Sequence, residues 1–162
     1  MDLPKRKPTR LKNYDYSATG AYFITICTSG RKELLSQIIV GDDAHIVPQN
    51  NLTGYGLICE KYINNINIKY ENVIVDKYVI MPNHIHLIVF LHGTMKASSP
   101  TRSIEQIIRS FKTMVTKEIG KSIWQRLYHD RIIRGEKEHQ KIWQYIDTNV
   151  IKWETDCFYK NK

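Results

Sequence analysis

The stretch that most restricts the fold is 84–91, HIHLIVFL, in which two histidines open an otherwise apolar run. Side chains alternate across a β-strand, so His84 and His86 would leave one face together, followed on that face by Ile88 and Phe90. Burying two imidazoles without polar partners would cost on the order of a few kcal/mol, which favours ligands over packed core histidines. The opposite face of this strand would carry Ile85, Leu87, Val89 and Leu91.

Other segments alternate between strand and helix patterns. Residues 21–29 are rich in aromatic and β-branched residues, and Pro82-Asn83 separates two apolar runs as a tight hairpin would. Residues 30–52 show turn residues and one short apolar piece, QIIVG, and 92–102 form a polar loop. The patterns predict strands at 21–29, 72–81, 84–91 and 127–135, and helices at 53–70, 103–119 and 136–150.

This order of elements predicts a fold class. A strand, a helix, a two-stranded hairpin, a helix, a strand and a final helix suit an α+β sandwich of ferredoxin-like type. In such a fold, helices pack on a central antiparallel sheet. In the last helix the buried stripe would consist of Ile142, Trp143, Ile146 and Val150.

The helix that follows Ser103 is the most clearly amphipathic segment. Gln106 lies three residues after Ser103 and completes a capping box. One stripe is apolar and predicts the buried face, with Ile104, Ile107, Ile108, Phe111, Met114, Val115 and Ile119. The opposite face is basic and offers candidate phosphate contacts at Arg102, Arg109, Lys112 and Lys117.

Length, charge and cysteine content narrow the class of protein. A chain of 162 residues suits one domain with a real core, and no apolar run is long enough to cross a bilayer. Three scattered cysteines without paired spacing, and an N-terminus without an apolar signal core, predict a cytoplasmic protein with reduced thiols. Association with the bacterial nucleoid is a separate expectation, which depends on a DNA partner. The net charge of +8 makes a nucleic acid a candidate partner, and it fits equally well a basic protein that binds polyanions without specificity. We expect no membrane partner and no small-molecule cofactor.

The chain divides into three predicted parts. Residues 1–16 form a basic arm, in which prolines favour extended backbone and Arg10 and Lys12 are candidate DNA contacts. Residues 17–155 form the single domain, and 156–162 form a C-terminal tail. No exposed apolar stripe decides between a monomer and a homodimer.

The predicted last helix carries a second pair of polar residues. Tyr145 and Asn149 are four residues apart, so they lie on one face of the helix. Docked against His84 and His86, they would complete a cleft with two nitrogens and a carboxamide oxygen. Such an open mixed set accepts Mg²⁺ or Mn²⁺, with water or phosphate oxygens completing the shell.

Four segments in order resemble the REP-associated tyrosine transposases, which belong to the HUH single-strand nucleases. The HUH nucleases also include the single-strand transposases of small bacterial insertion sequences. The resemblance runs from about residue 10 to residue 154. The segments are RLKNYDYSATGAYFITICT, MPNHIHLIV, IRSFKTMVTKEI and WQRLYHDRIIRGEKEHQKIWQYIDTNVIKWE.

The resemblance implies a role for each matched residue. His84 and His86 match the histidine pair that binds a divalent metal, and Tyr145 matches the nucleophile. Asn149 falls where relatives carry a polar third ligand. In that family the phenolate attacks a phosphodiester of single-stranded DNA at hairpin elements and leaves a 5′-phosphotyrosine and a free 3′-OH. The sequence departs from the family at Val150, where relatives often have proline.

Two other function classes remain open from the sequence. The first is a non-catalytic protein that binds single-stranded or hairpin nucleic acid on a ferredoxin-like sheet, with Tyr22 and Phe23 stacking on bases. The second is a metal hydrolase that uses His84 and His86 on a small substrate. Among the other tyrosines, Tyr128 is the alternative candidate nucleophile.

Overall fold

The computed structural model of the chain describes residues 14–40, 47–93 and 102–159. A four-stranded antiparallel sheet in the order β4-β5-β1-β6 forms its centre, and a separate hairpin pairs β2 with β3. The strands are β1 Gly20–Cys27, β2 Ser36–Ile39, β3 Gln49–Leu52, β4 Val73–Ile80, β5 His84–Leu91 and β6 His129–Ile133. The helices are α1 Gly54–Lys69, α2 Ile104–Ile119 and α3 Glu136–Thr148, with single 3₁₀ turns at Ser29–Arg31 and Trp153–Thr155.

The predicted ferredoxin-like fold class is confirmed. Helices α1 and α2 pack on each other, and residues of both join the larger of the two core clusters, which lies on one face of the sheet. Helix α3 packs across β4 and β5 on the other face. The sheet is therefore covered on both sides, which explains why β5 is apolar on both faces.

The predicted alternation along β5 is also confirmed. Residues 85, 87, 89 and 91 join the larger core cluster under α1 and α2. Ile88 lies in a second cluster with Ala21, Ile133 and Ile146, and Phe90 packs against this cluster. His84 and His86 share that second face, so β5 presents both imidazoles toward α3.

The hairpin of β2 and β3 differs from the sequence prediction, which had only turn residues and a short apolar piece at 30–52. Its strands are four residues each, and β3 is mostly polar, with the sequence QNNL. Asparagine has low β propensity, so no local pattern indicates a strand. Tertiary contacts position β3 instead, because the Asn50 side chain donates to the carbonyl of Ile80 at 2.8 Å.

The helix that follows Ser103 begins as predicted, with both hydrogen bonds of the capping box to Gln106 present. Two apolar positions were wrongly expected to be buried. Met114 is 37% exposed, and Trp143 of α3 is 38% exposed. The Trp143 ring instead contacts the Lys77 ammonium, which lies 3.8 Å from the ring centroid in a cation–π arrangement.

Of the helices in the described ranges, none has the length and apolar character needed to span a membrane.

Gly56 of α1 provides a stability test of the packing between α1 and the segment before β2. A Cβ at Gly56 would overlap the carbonyl oxygen of Leu35, whereas a Cβ at Gly54 meets nothing within 4 Å. Because the obstacle is backbone, Gly56→Ala should lower the free energy of unfolding by about 1–3 kcal/mol. Gly54→Ala, the matched control in the same helical turn, should leave it unchanged or raise it by up to about 1 kcal/mol. Urea unfolding of both variants tests this, and equal stabilities would contradict the contact.

Candidate metal and tyrosine site

The first half of the site is built by β5 and its neighbour β1. The antiparallel register places Cys27 opposite His84 and Thr25 opposite His86. His84 Nδ1 lies 2.8 Å from Asn83 Oδ1, and His86 Nδ1 lies 2.8 Å from Thr25 Oγ1. These partners occupy Nδ1 of both rings, so Nε2 is the nitrogen that each ring presents to the site. Hydrogen bonds of this kind orient histidines that ligate metals.

Both imidazoles are neutral near pH 7. Burial lowers the pKa of His84 to about 3, against the effect of the Asn149 side chain, which raises it. Burial also lowers the pKa of His86 to about 3, with a further lowering by His84. A neutral imidazole keeps the lone pair that a metal ion requires, so both rings are in the form that binds metals.

Helix α3 brings Tyr145 to the imidazole pair. The Tyr145 hydroxyl lies 3.3 Å from His86 Nε2 and 3.4 Å from Asp156 Oδ2, and its ring packs against His86 and Phe23. The side chain is 38% exposed, so solvent reaches it. Burial raises the pKa of Tyr145 to about 12, and the Asp156 charge acts in the same direction. The phenol is therefore protonated near pH 7 unless a positive charge joins the site.

Asp156 is a site residue that the sequence did not indicate. A ligand atom of Asp156 and one from each of His84 and His86 all lie within 4.8 Å of one another, a spacing that can hold a metal ion. The carboxylate follows the 3₁₀ turn at Trp153–Thr155, and its Oδ1 accepts from the backbone N–H of Phe158 at 2.7 Å. No spacing or motif in the C-terminal segment points to this carboxylate, so only the folded chain reveals it.

Asn149 lies in the same cleft. Its backbone ends α3, and its side-chain Nδ2 donates to Asp156 Oδ2 at 3.0 Å. Asn149 Oδ1 and His84 Nε2 are both buried, and neither forms a hydrogen bond to any residue in the described parts of the chain. Buried acceptor atoms are rarely left without a partner. Two such atoms beside a carboxylate fit a bound divalent cation, and the nitrogen and oxygen donors suit this chemistry.

The C-terminal segment also covers the imidazoles. The Phe158 ring packs on His84 with centroids 4.4 Å apart, and the Asn83 side chain donates to the Phe158 carbonyl at 2.8 Å. The Arg31 guanidinium lies over the same ring, 5.0 Å from its centroid, and donates to the carbonyl of Cys157 at 3.2 Å. These contacts hold Asp156 beside the histidines.

The basic residues singled out in the sequence have different surroundings. Arg10 and Lys12 lie outside the described residues. Arg102 and Lys117 are exposed, and Arg109 is exposed and pairs with Glu105 at 3.3 Å. Lys112 was expected on the solvated face of α2 but is half-buried. Its ammonium donates to the carbonyls of Gln125 and Arg126 at 2.7 and 3.3 Å.

The residues that the sequence offered for base stacking or as an alternative nucleophile do not lie where those roles require. Tyr22 is fully buried under the helices and donates its hydroxyl to the carbonyl of Ala18 at 2.8 Å, so its ring offers no face to a base. Phe23 faces the metal and tyrosine site, where it contacts His86. Tyr128 is buried in the larger core cluster, so its ring lies in the hydrophobic interior.

Comparison with known proteins finds similarity both by sequence and by structure. No protein-family model matches the chain. A Haemophilus influenzae protein described as uncharacterized is 33% identical over an alignment of 174 positions, which covers 95% of this chain and 93% of the relative. A REP-associated tyrosine transposase solved with a bound REP hairpin has a TM-score of 0.62 and 22% identity, over 89% of this chain and 74% of that chain. This structural likeness shows a common fold.

Proposed function

We propose that this chain, which belongs to one family with the Haemophilus influenzae protein and shares the fold of a REP-associated tyrosine transposase, is a transposase-type nuclease for single-stranded DNA. Its substrate would be a hairpin element of the REP type with an unpaired flank. The observation that carries the proposal is the position of the Tyr145 hydroxyl, 3.3 Å from an imidazole of the histidine pair. The excess of basic residues in the chain, with a net charge of +8, supports a polyanionic substrate.

His84, His86 and Asp156 would hold the metal, which we propose to be Mg²⁺ or Mn²⁺, and Asn149 Oδ1 would be a further oxygen donor. When bound, a divalent cation would polarise the scissile phosphate and favour loss of the phenol proton. Two imidazoles and one carboxylate also suit Fe²⁺, so binding tests should include that ion.

Tyr145 would be the nucleophile of a reversible exchange. Its phenolic oxygen attacks the phosphorus, a bond from phosphorus to Tyr145 forms, and the bond from phosphorus to the 3′ oxygen breaks. The phenol proton passes to solvent, which reaches the half-exposed ring, and the departing 3′ oxygen takes a proton from water. One phosphate ester replaces another, so a 3′-OH can reverse the step and rejoin DNA without a nucleotide cofactor.

The direct test is formation of a covalent adduct. Purified protein, a labelled hairpin oligonucleotide with an unpaired flank, and Mg²⁺ or Mn²⁺ should give a protein–DNA band that survives denaturation. The same mixture with a chelator should give none. A non-catalytic binding protein would instead shift the DNA in native gels under both conditions and give no denaturation-resistant band.

Asp156→Asn tests the carboxylate that the sequence missed. Loss of a charged ligand should weaken Mn²⁺ binding by roughly ten- to a hundredfold, and excess Mn²⁺ should restore part of the adduct yield. Glu154→Gln is the matched control, because Glu154 is an exposed carboxylate two residues earlier. Isothermal titration with Mn²⁺ compares the two variants. If Asp156→Asn binds Mn²⁺ as tightly as wild type, Asp156 is not a metal ligand, and Asn149 would be the third donor.

A further inference from the structure

A second concave region lies between α2 and residues 122–128. Its volume is about 780 Å³, within the usual range for sites that bind small ligands. We call it the α2 groove. The charged and polar side chains that matter here are Glu105, Arg109, Lys112, Lys117, Trp124 and Arg126.

The charge of the α2 groove favours an anion. Four of its lining residues are cationic, and one, Glu105, is acidic and pairs with Arg109. Lys117 and Arg126 form no ion pair with any residue of the described ranges. Their charges are therefore available to phosphate groups.

One wall of the α2 groove is held by polar contacts. The Lys112 ammonium donates to the carbonyls of Gln125 and Arg126 and so ties this wall to α2. The Trp124 side chain is 7% exposed, and its indole N–H is buried without a hydrogen-bond partner within the described segments. This nitrogen has almost no accessible surface, so Trp124 contributes to the rigidity of the wall and not to ligand contacts.

The α2 groove is connected to the strand end that carries the metal and tyrosine site. The backbone N–H of Gln125 donates to the carbonyl of Cys27 at 2.9 Å, and Trp124 forms an isolated β-bridge with Thr28. Cys27 lies opposite His84 in the sheet. The wall of the groove and the imidazole pair therefore share the same end of β1.

We propose that the α2 groove binds unpaired nucleotides of the DNA strand that Tyr145 cleaves, an inference that rests on the proposed function. A cavity of this volume accepts one or two nucleotides and excludes a duplex. Lys117 and Arg126 contact phosphates of these nucleotides. Unpaired nucleotides can enter a basic groove of this size, whereas the nucleotides of a hairpin stem are held in the duplex.

The test measures binding in a Tyr145→Phe background, so that covalent trapping does not contribute. The probes are one hairpin with a short unpaired flank and the same hairpin without it. Lys117→Gln combined with Arg126→Gln should weaken binding of the flanked hairpin roughly tenfold and reduce its log–log salt slope by about 1.4. The flankless hairpin should change by no more than about twofold.

A matched control sharpens the test. Lys61→Gln with Lys69→Gln removes the same total charge from exposed positions of α1, and should have no flank-dependent effect. Equal losses on both probes, or an equal loss in the α1 control, would overturn the assignment of the α2 groove.

The proposed function has a separate readout, namely adduct formation by the wild-type protein. An adduct without flank-dependent losses in the groove variants would refute the groove alone. Flank-dependent losses in a protein that forms no adduct would refute the nuclease and leave a nucleic-acid groove.

Discussion

Tyr145→Phe protein is expected to bind flanked hairpin DNA with an affinity within about twofold of wild type and to form no covalent adduct. The substitution removes only the hydroxyl oxygen, so the ring should keep its contacts with His86 and Phe23. The substitution removes the atom that we propose attacks phosphorus, so the adduct yield should fall by more than ~10³-fold. Fluorescence anisotropy measures binding, and denaturing gels measure the adduct.

Tyr62→Phe is the matched control for this experiment. Its hydroxyl lies 2.7 Å from a carboxylate oxygen of Glu118, on the helical layer away from the imidazoles. This variant should form the adduct at the wild-type rate. An undiminished adduct in Tyr145→Phe would show that another group attacks the DNA.

The second large effect is expected for the histidines. In the double variant His84→Ala, His86→Ala, Mn²⁺ affinity should fall by at least ~100-fold and metal-dependent adduct formation should be lost. DNA affinity should remain close to wild type, because phosphate contacts supply most of it. Calorimetric titration with Mn²⁺, followed by adduct assays across a Mn²⁺ series, provides the measurement.

His139→Ala is the control for the loss of an imidazole. His139 lies on α3 and pairs with Asp76 at 2.9 Å, apart from the metal and tyrosine site. Its removal should leave Mn²⁺ affinity unchanged. If the double histidine variant and this control bind Mn²⁺ equally well, the imidazole pair is not a metal site.

The sequence predicts much of the fold because the main elements have strong local signals. The alternation of β5 places the histidines and the apolar residues on the correct faces, as the two core clusters confirm. The capping box predicts the start of α2 to the residue. Each of these signals depends on neighbours along the chain, which a sequence displays directly.

What the sequence misses depends on contacts between distant segments. Asp156 lies beside the imidazoles in a segment that is held there by distant contacts, with Phe158 packed on His84 and Arg31 donating to the Cys157 carbonyl. No periodicity encodes those contacts. Lys112 likewise follows the solvent-facing period of α2, yet the carbonyls of the segment at 125–126 draw its ammonium into the α2 groove.

The measurement that tests the central claim most directly is peptide mapping of the adduct by tandem mass spectrometry. Protein trapped on hairpin DNA in Mn²⁺ should carry the residual nucleotide on Tyr145 and on no other residue. A nucleotide on a different tyrosine, or an adduct that forms equally well in the presence of a chelator, would contradict the account.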